Sequence, residues 1–372
     1  MSYMKYTGLV GPNAVLTAIR DFAVAQGWTI LENLTQDMSI DGGGQNDGLK
    51  LTLQAPGNSD LIICLRSANG KGIFNTQNNL NNAYGIGMVC PTGYTSTPAS
   101  GIWNDQPTVT RQVSVNASTG QQEIIGVGIP VNPSEACTVF VNLIIDPEPL
   151  FVVSVEIEPK TYVHLGAGLV QKIGNWGGGT IFSGSRNSQN MFTTKFDADT
   201  IDSENSLIFA MNKQANTFLL AQVDAAPNRK PAVNWLSAGS DDKTTFKYMY
   251  TGKLLGLPVK QLNFTQETFD PKIPSYHIFQ SQKSDDVGRD CNTLNCITVD
   301  LPLAVYVQRD PDVLRNYSQV GYIPGFFFIS ARNVAPGQVY EVSWPQSGNL
   351  NQAFPHSRRG GKLGYDGFSV NQ

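Results

Sequence analysis

The sequence has little charge. Asp, Glu, Lys and Arg make up 15% of its 372 residues, whereas an ordinary soluble chain carries about 25%. The low charge comes with 41% hydrophobic and 10% aromatic residues, a composition that excludes an intrinsically disordered chain. The net charge of −4 offers no broad positive surface to phosphates, so we expect no nucleic-acid partner.

Long hydrophobic runs are also missing. The first 14 residues contain no charged region followed by an apolar one, so we expect no secretory signal. The most apolar stretch, residues 138–155, is interrupted by Asn142 and by the polar and proline residues 146–149. It therefore falls short of the about 18 uninterrupted apolar residues of a membrane helix, and we predict no membrane span.

Residues that usually carry chemistry are scarce. The three histidines share no motif, and the strand-like surroundings of His164 favour a packed, hydrogen-bonded side chain over a catalytic one. Phosphate-binding glycine loops and a nucleophile elbow are absent from the sequence. We therefore predict no cofactor, no catalytic residues and a protein that is not an enzyme.

No metal site is indicated either. Cys291 and Cys296 form a lone pair of thiols without a second pair or a neighbouring histidine, so zinc is disfavoured. Two ordinary cysteines at a turn are the favoured interpretation, with a local disulfide as the alternative.

The carboxylates of residues 197–204 lack the spacing of a calcium loop and are typical of a solvated linker. We interpret Cys64, Cys90 and Cys137 as reduced cysteines of the hydrophobic core.

One segment is typical of a helix. Val15, Leu16, Ile19 and Phe22 recur at helical spacing. Pro12 stands where a first-turn proline is tolerated, and Gly27 is a natural helix stop.

Almost everything after Gly27 is typical of β-structure. Short apolar or alternating runs are separated by Gly, Pro, Asn and Ser, which predicts a mainly β fold of sandwich- or barrel-like domains with one short N-terminal α-helix. Residues 138–145 and 150–158 are predicted to form a hairpin around the turn at 146–149. The other predicted strands are 49–53, 60–65, 217–223, 246–250, 297–300, 303–308, 325–329 and 338–342.

The length predicts more than one domain. Single cores stop growing at about 250–300 residues, and the glycine-rich and acidic loops place a boundary between about 185 and 205. We predict an N-terminal helix and docking segment at 1–45, a first β domain at 46–190, and a second β domain with a C-terminal tail at 205–372.

The order of several short motifs is more informative than any one of them. The helix that ends in Gly27-Trp28 opens the chain. A strand–turn–strand unit followed by Tyr162-Val-His164-Leu165 marks its middle. The other motifs are Trp103-Asn-Asp-Gln-Pro107, the run from Lys172 to Gly179, Leu301 to Tyr306, Gly325 to Ser330, and Tyr365 to Phe368. This order resembles virion structural proteins of tailed bacteriophages, particularly tail-tip or baseplate components. No motif of the resemblance falls between about 197 and 300.

The resemblance implies a non-enzymatic structural subunit of a bacteriophage tail. Such a protein is made in the host cytoplasm, is located in the virion, and mediates assembly and attachment of neighbouring tail or fibre proteins. Its partners would be other tail or baseplate proteins and tail fibres, and it would form a symmetric homo-oligomer, a trimer or a hexamer. The family implies no catalytic residues.

Candidate interface residues follow from this interpretation. For docking we predict Val15, Ile19, Phe22 and Trp28 at the N-terminus, and the basic Arg358, Arg359 and Lys362 near the C-terminus. The basic patch would dock on an acidic neighbour; its alternative is a solvated tail. The alternative function is a host-receptor or glycan-binding module of the virion that uses the loop aromatics Trp103 and Trp176. An enzyme such as a glycan depolymerase is a third, less favoured hypothesis.

Overall fold

The computed structural model describes only part of the chain. The described residues are 2–34, 48–57, 59–69, 84–95, 106, 113–115, 122–124, 127–158, 161–184, 216–223, 232–238, 248–253, 301–308, 317–329, 340–343, 350–355 and 367–371.

Within these residues the chain forms one helix and many strands. The elements of the first half are β1 (Ser2–Val10), α1 (Gly11–Ala25), β2 (Thr29–Leu34), β3 (Lys50–Gln54), β4 (Ile62–Asn69), β5 (Tyr84–Val89), β6 (Val113–Val115), β7 (Gln122–Ile124), β8 (Val127–Pro130), β9 (Ala136–Ile144), β10 (Leu150–Glu158), β11 (Thr161–Leu169), β12 (Gln171–Lys172) and β13 (Gly178–Gly184). Those of the second half are β14 (Asn216–Val223), β15 (Ala232–Ala238), β16 (Tyr248–Lys253), β17 (Leu301–Gln308), β18 (Tyr317–Ile329), β19 (Tyr340–Ser343), β20 (Leu350–Pro355) and β21 (Gly367–Asn371). The predicted mainly β fold with one N-terminal helix is confirmed.

The strands belong to one large sheet, one smaller sheet and an isolated pair. The large sheet has the order β1-β9-β10-β11-β13-β14-β15-β16-β17-β18-β21-β20-β19, and β12 pairs with β18. The second sheet has the order β2-β3-β4-β5-β8, and β6 pairs with β7. The predicted hairpin is present as β9 and β10, joined by the turn at 145–149. The predicted strand at 297–300 lies outside the described residues.

The predicted domain boundary falls in a stretch without described residues. β13 and β14, which lie on either side of 185–205, pair antiparallel in the same sheet, with Ile181 opposite Leu219. β12 pairs with β18 through Gln171 and Tyr322. Strands of both predicted β domains are therefore neighbours in one sheet.

A single apolar cluster joins the two main sheets and the helix in a sandwich-like arrangement. Alternate residues of β9, β10 and β11 point to one side, where they meet α1 and the inner face of the second sheet. From the large sheet this core contains Val139, Val141, Leu143, Phe151, Val153, Val155, Val163 and Leu165; from the second sheet it contains Leu51, Leu53, Ile63, Leu65, Ile86 and Met88.

The end of α1 is closed by a left-handed glycine. Gly27 has φ +83°, and its N–H donates to the Val24 carbonyl while the Trp28 N–H donates to the Ala23 carbonyl, both at 3.0 Å. These two bonds form a Schellman motif, which requires a residue that adopts positive φ without strain. The motif turns the chain so that Trp28 enters the core.

Candidate functional site

The predicted N-terminal docking residues lie in the hydrophobic core. Val15, Ile19, Phe22 and Trp28 are all buried, and the Trp28 and Phe151 ring centroids are 6.1 Å apart. The helical spacing that made these residues candidates reflects the packing of α1 against the sheets. In the folded chain these four side chains therefore form no exposed docking surface.

Other residues of the same segment are exposed and apolar. Met4 on β1, Val24 on α1 and Ile30 on β2 are 41%, 45% and 38% exposed. A hydrogen bond between the Ser2 hydroxyl and the Gln26 side-chain carbonyl holds the start of β1 beside the end of α1. We use the name N-terminal face for these three exposed side chains, one on each of β1, α1 and β2. They escaped sequence analysis because isolated apolar residues outside the main helical stripe carry no periodic signal.

The charged residues of β1 and α1 are few and of both signs. Arg20 and Asp21 form an ion pair of 2.8 Å on the exposed side of α1. Burial raises the pKa of the Tyr6 hydroxyl on β1, and the negative charge of Asp21 raises it further. The surface around β1 and α1 therefore offers apolar contact with little net charge.

A buried group of charged and polar side chains lies on the face of the second sheet opposite to that of Leu51 and Leu65. The ammonium of Lys50 is 3.0 Å from Glu32 Oε1, and the Thr52 hydroxyl donates to Glu32 Oε2 at 3.2 Å. Arg66, opposite Lys50 in the register of β3 and β4, is also fully buried. Sequence analysis missed this group, although lysine and arginine inside the apolar runs of β3 and β4 were a usable signal. The geometry is that of a buried ion pair, in which each charge is compensated inside the fold.

His164 has the structural role that its sequence context predicted. It is fully buried, and its Nδ1 lies 2.9 Å from the Ser154 hydroxyl on the neighbouring strand. Beside this pair the Tyr162 hydroxyl bonds to Glu156; burial first, and then the Glu156 carboxylate, raise the pKa of Tyr162. Because Ser154 and His164 have no exposed surface, the pair acts as a cross-strand contact of β10 and β11.

Trp176 lies in a loop that is attached to β18. Its indole N–H donates to the Val320 carbonyl at 3.0 Å, and the same carbonyl accepts the Ile173 N–H at 2.8 Å. The Lys172 ammonium lies 5.3 Å from the centre of the Trp176 ring. The ring is therefore half-buried and engaged by its own chain, which leaves less of it for a sugar than a free loop aromatic would offer.

The remaining predicted interface residues lie outside the described residues. These are Trp103, Arg358, Arg359 and Lys362. Cys291, Cys296, His277, His356 and the carboxylates of 197–204 lie there too.

The described cysteines are buried thiols, as predicted. Cys64, Cys90 and Cys137 form no disulfide. Burial raises the pKa of Cys137 to about 11, and it raises that of Cys90 well above its usual value, with a further contribution from Cys64. In the described part of the chain, no group of three or more His, Cys, Asp or Glu residues is placed to hold a metal ion.

The comparisons with known proteins assign no family. Neither the models of protein families nor the curated proteins include a match to this chain. Within the described residues, no helix has the length and apolar character needed to cross a membrane.

Proposed function

We propose that the chain is a non-enzymatic structural subunit of a bacteriophage tail, at the baseplate or tail tip. In this role it joins neighbouring tail or fibre proteins and is present in several symmetric copies in the virion. The proposal starts from the resemblance of its motif order to tail-tip and baseplate components.

The observation that carries the proposal is the packing of the two best-defined motifs against each other. Trp28, from the helix and Gly-Trp unit, contacts Phe151 of β10 with ring centroids 6.1 Å apart. Tyr162 and His164 of the second unit lie on β11, which pairs with β10. Motifs separated by more than a hundred residues thus build one core, which supports treating their order as a property of one fold.

The N-terminal face supports a docking role for the first segment. Exposed apolar side chains offer apolar area that contact with another protein can bury. Met4, Val24 and Ile30 take the place of the buried helix residues as the candidate contact surface, so the proposed docking segment stays the same while its contact residues change.

The test is to locate the protein in particles. Tailed particles are purified from cells that make the chain and labelled with gold-tagged antibodies against it. We expect label at the distal end of the tail; label elsewhere on the particle, or particles that lack the chain, would overturn the proposal.

A second measurement tests the docking surface. We expect Val24→Asp to lower the number of copies per particle, measured by quantitative mass spectrometry, because a carboxylate replaces an apolar contact. Ile173→Asp is the matched control, since Ile173 is similarly exposed (49% against 45% for Val24) but lies in the loop beside β18. Equal incorporation of both variants would remove the N-terminal face from the proposal.

A further inference from the structure

We propose that β1 is a self-association strand: residues 2–6 pair antiparallel with the same residues of a second copy, about a two-fold axis that passes through Met4. This inference concerns self-association alone and does not depend on the proposed function.

The position of β1 in the sheet makes such pairing possible. Among the described residues, β1 pairs only with β9 and forms one edge of the large sheet. The backbone groups of an edge strand that point away from its neighbour can bond to another strand. Met4, Lys5, Thr7 and Gly8 are exposed, and no described strand pairs with the outer side of this edge.

The length of the regular part of β1 defines the paired segment. Residues 2–6 keep an unbroken register with β9, and the register then shifts before Leu9, where Gly8 has φ +77°. An irregularity of this kind interrupts pairing along an edge. The regular segment has five residues, and Met4 is its centre.

Side-chain chemistry favours the register centred on Met4. Two-fold pairing about Met4 places Tyr3 of one copy opposite Lys5 of the other, and Ser2 opposite Tyr6. Tyr3 opposite Lys5 places an uncharged side chain against the lysine, so no like charges meet at this position. A register centred on Lys5 would instead place two ammonium groups opposite each other, which is unfavourable.

The burial pattern agrees with the same register. Met4 lies opposite Val141, a buried core residue, yet Met4 is 41% exposed because no described strand covers it from the other side. Pairing about Met4 keeps the core sides of both sheets on one side of the joined sheet. The Met4 side chains of the two copies then cover each other, which leaves Val24 and Ile30 as the part of the N-terminal face that can contact another protein.

The charge of β1 is compatible with a second copy of the same strand as its partner. Lys5 is the one ionisable side chain other than tyrosine between residues 2 and 10, and its ammonium is directed over the Phe140 ring of its own sheet, 5.4 Å from the centroid. The strand has no carboxylates, and its single cation lies away from the two-fold axis. When two copies pair, no like charges are therefore placed opposite each other. A two-fold contact gives an even number of copies, so it fits a hexamer and not a trimer.

The first experiment measures the mass of the full chain in solution by light scattering. We expect an even number of copies for the natural chain and half that mass for Met4→Lys, because the substitution places two ammonium groups on the axis. Thr7→Lys is the matched control: it adds the same charge to the same exposed strand outside the paired segment, and we expect its mass to be unchanged. Circular dichroism checks that both variants remain folded.

The second experiment uses a cross-link that depends on the axis. In a parent with Cys291→Ser and Cys296→Ser, Met4→Cys is expected to form an intermolecular disulfide under mild oxidation, whereas Thr7→Cys is not. A natural chain that is monomeric or has an odd number of copies overturns the inference. So does a folded Met4→Lys variant of unchanged mass, or equal cross-linking at positions 4 and 7.

Discussion

Trp176 donates its indole N–H to the carbonyl oxygen of Val320, 144 residues later in the chain, at 3.0 Å. The Ile173 N–H reaches the same oxygen at 2.8 Å, so one carbonyl of β18 holds both sides of the loop between β12 and β13. The loop thereby connects strands that lie far apart in sequence, and Trp176 has a structural role independent of any ligand.

Trp176→Phe should lower the free energy of unfolding by about 1 kcal/mol, the usual value of one hydrogen bond. The loss is not larger because the Val320 oxygen keeps the Ile173 N–H. Urea denaturation measures the change, and Ile173→Ser, at an exposed position of the same loop, should alter stability by less than about 0.5 kcal/mol. Equal effects of both substitutions would mean that the indole bond contributes nothing.

Gly325→Ala should destabilise the fold for two separable reasons. Gly325 has φ +73°, which costs a residue with a β-carbon about 1–2 kcal/mol, and that carbon would overlap Ile144 Cδ1. Overpacking adds about 1–3 kcal/mol, so we expect a total of about 3 kcal/mol by denaturant titration.

The two causes can be separated with Ile144→Val, which removes the overlapping methyl group. In that background Gly325→Ala should cost only the backbone strain, about 1.5 kcal/mol. The same cost in both backgrounds would show that Ile144 moves aside freely.

Much of the fold was predictable where the pattern is local. Apolar residues at helical spacing, together with Gly27, located α1, and alternating residues around a proline-rich turn located β9 and β10. β1 was missed because Ser2–Val10 is an edge strand whose two faces are both partly exposed, so its sequence shows no clear alternation.

The candidate site was less predictable, because burial depends on residues that are distant in sequence. Val15 and Ile19 have the same pattern whether they face a partner protein or their own sheet. Only the positions of β4, β5 and β9 show that they are core. Pairing of Lys50 with Glu32 likewise depends on strand order, which composition and spacing do not determine.

Lys50→Met should destabilise the fold strongly, because it leaves the Glu32 carboxylate buried without its ammonium partner. Removing one member of a buried ion pair costs about 3–5 kcal/mol, which urea denaturation would detect. Arg20→Ala breaks the exposed pair with Asp21 and serves as the control, with an expected cost below about 1 kcal/mol.

The double variant Lys50→Met/Glu32→Gln tests the cause. Removing the charge left behind should restore at least about 2 kcal/mol of the loss. If the double variant is no more stable than Lys50→Met, the loss comes from packing around Lys50 and not from removal of the ammonium beside the Glu32 carboxylate.

Stability should fall in alkaline solution, and Cys137 should account for part of the fall. Burial raises the pKa of this thiol from 9.0 in a free chain to about 11 in the fold, so the unfolded chain releases the proton first. The contribution of the protonated Cys137 thiol to the free energy of unfolding is fully present below pH 9. It is lost as the pH rises towards about 11, at about 1.4 kcal/mol per pH unit for one proton. Urea titrations across this window should show a shallower decline for Cys137→Ala than for the natural chain, even though the variant is less stable at neutral pH. Parallel declines would assign the alkaline loss to the other buried groups with raised pKa, Cys90 and Tyr162.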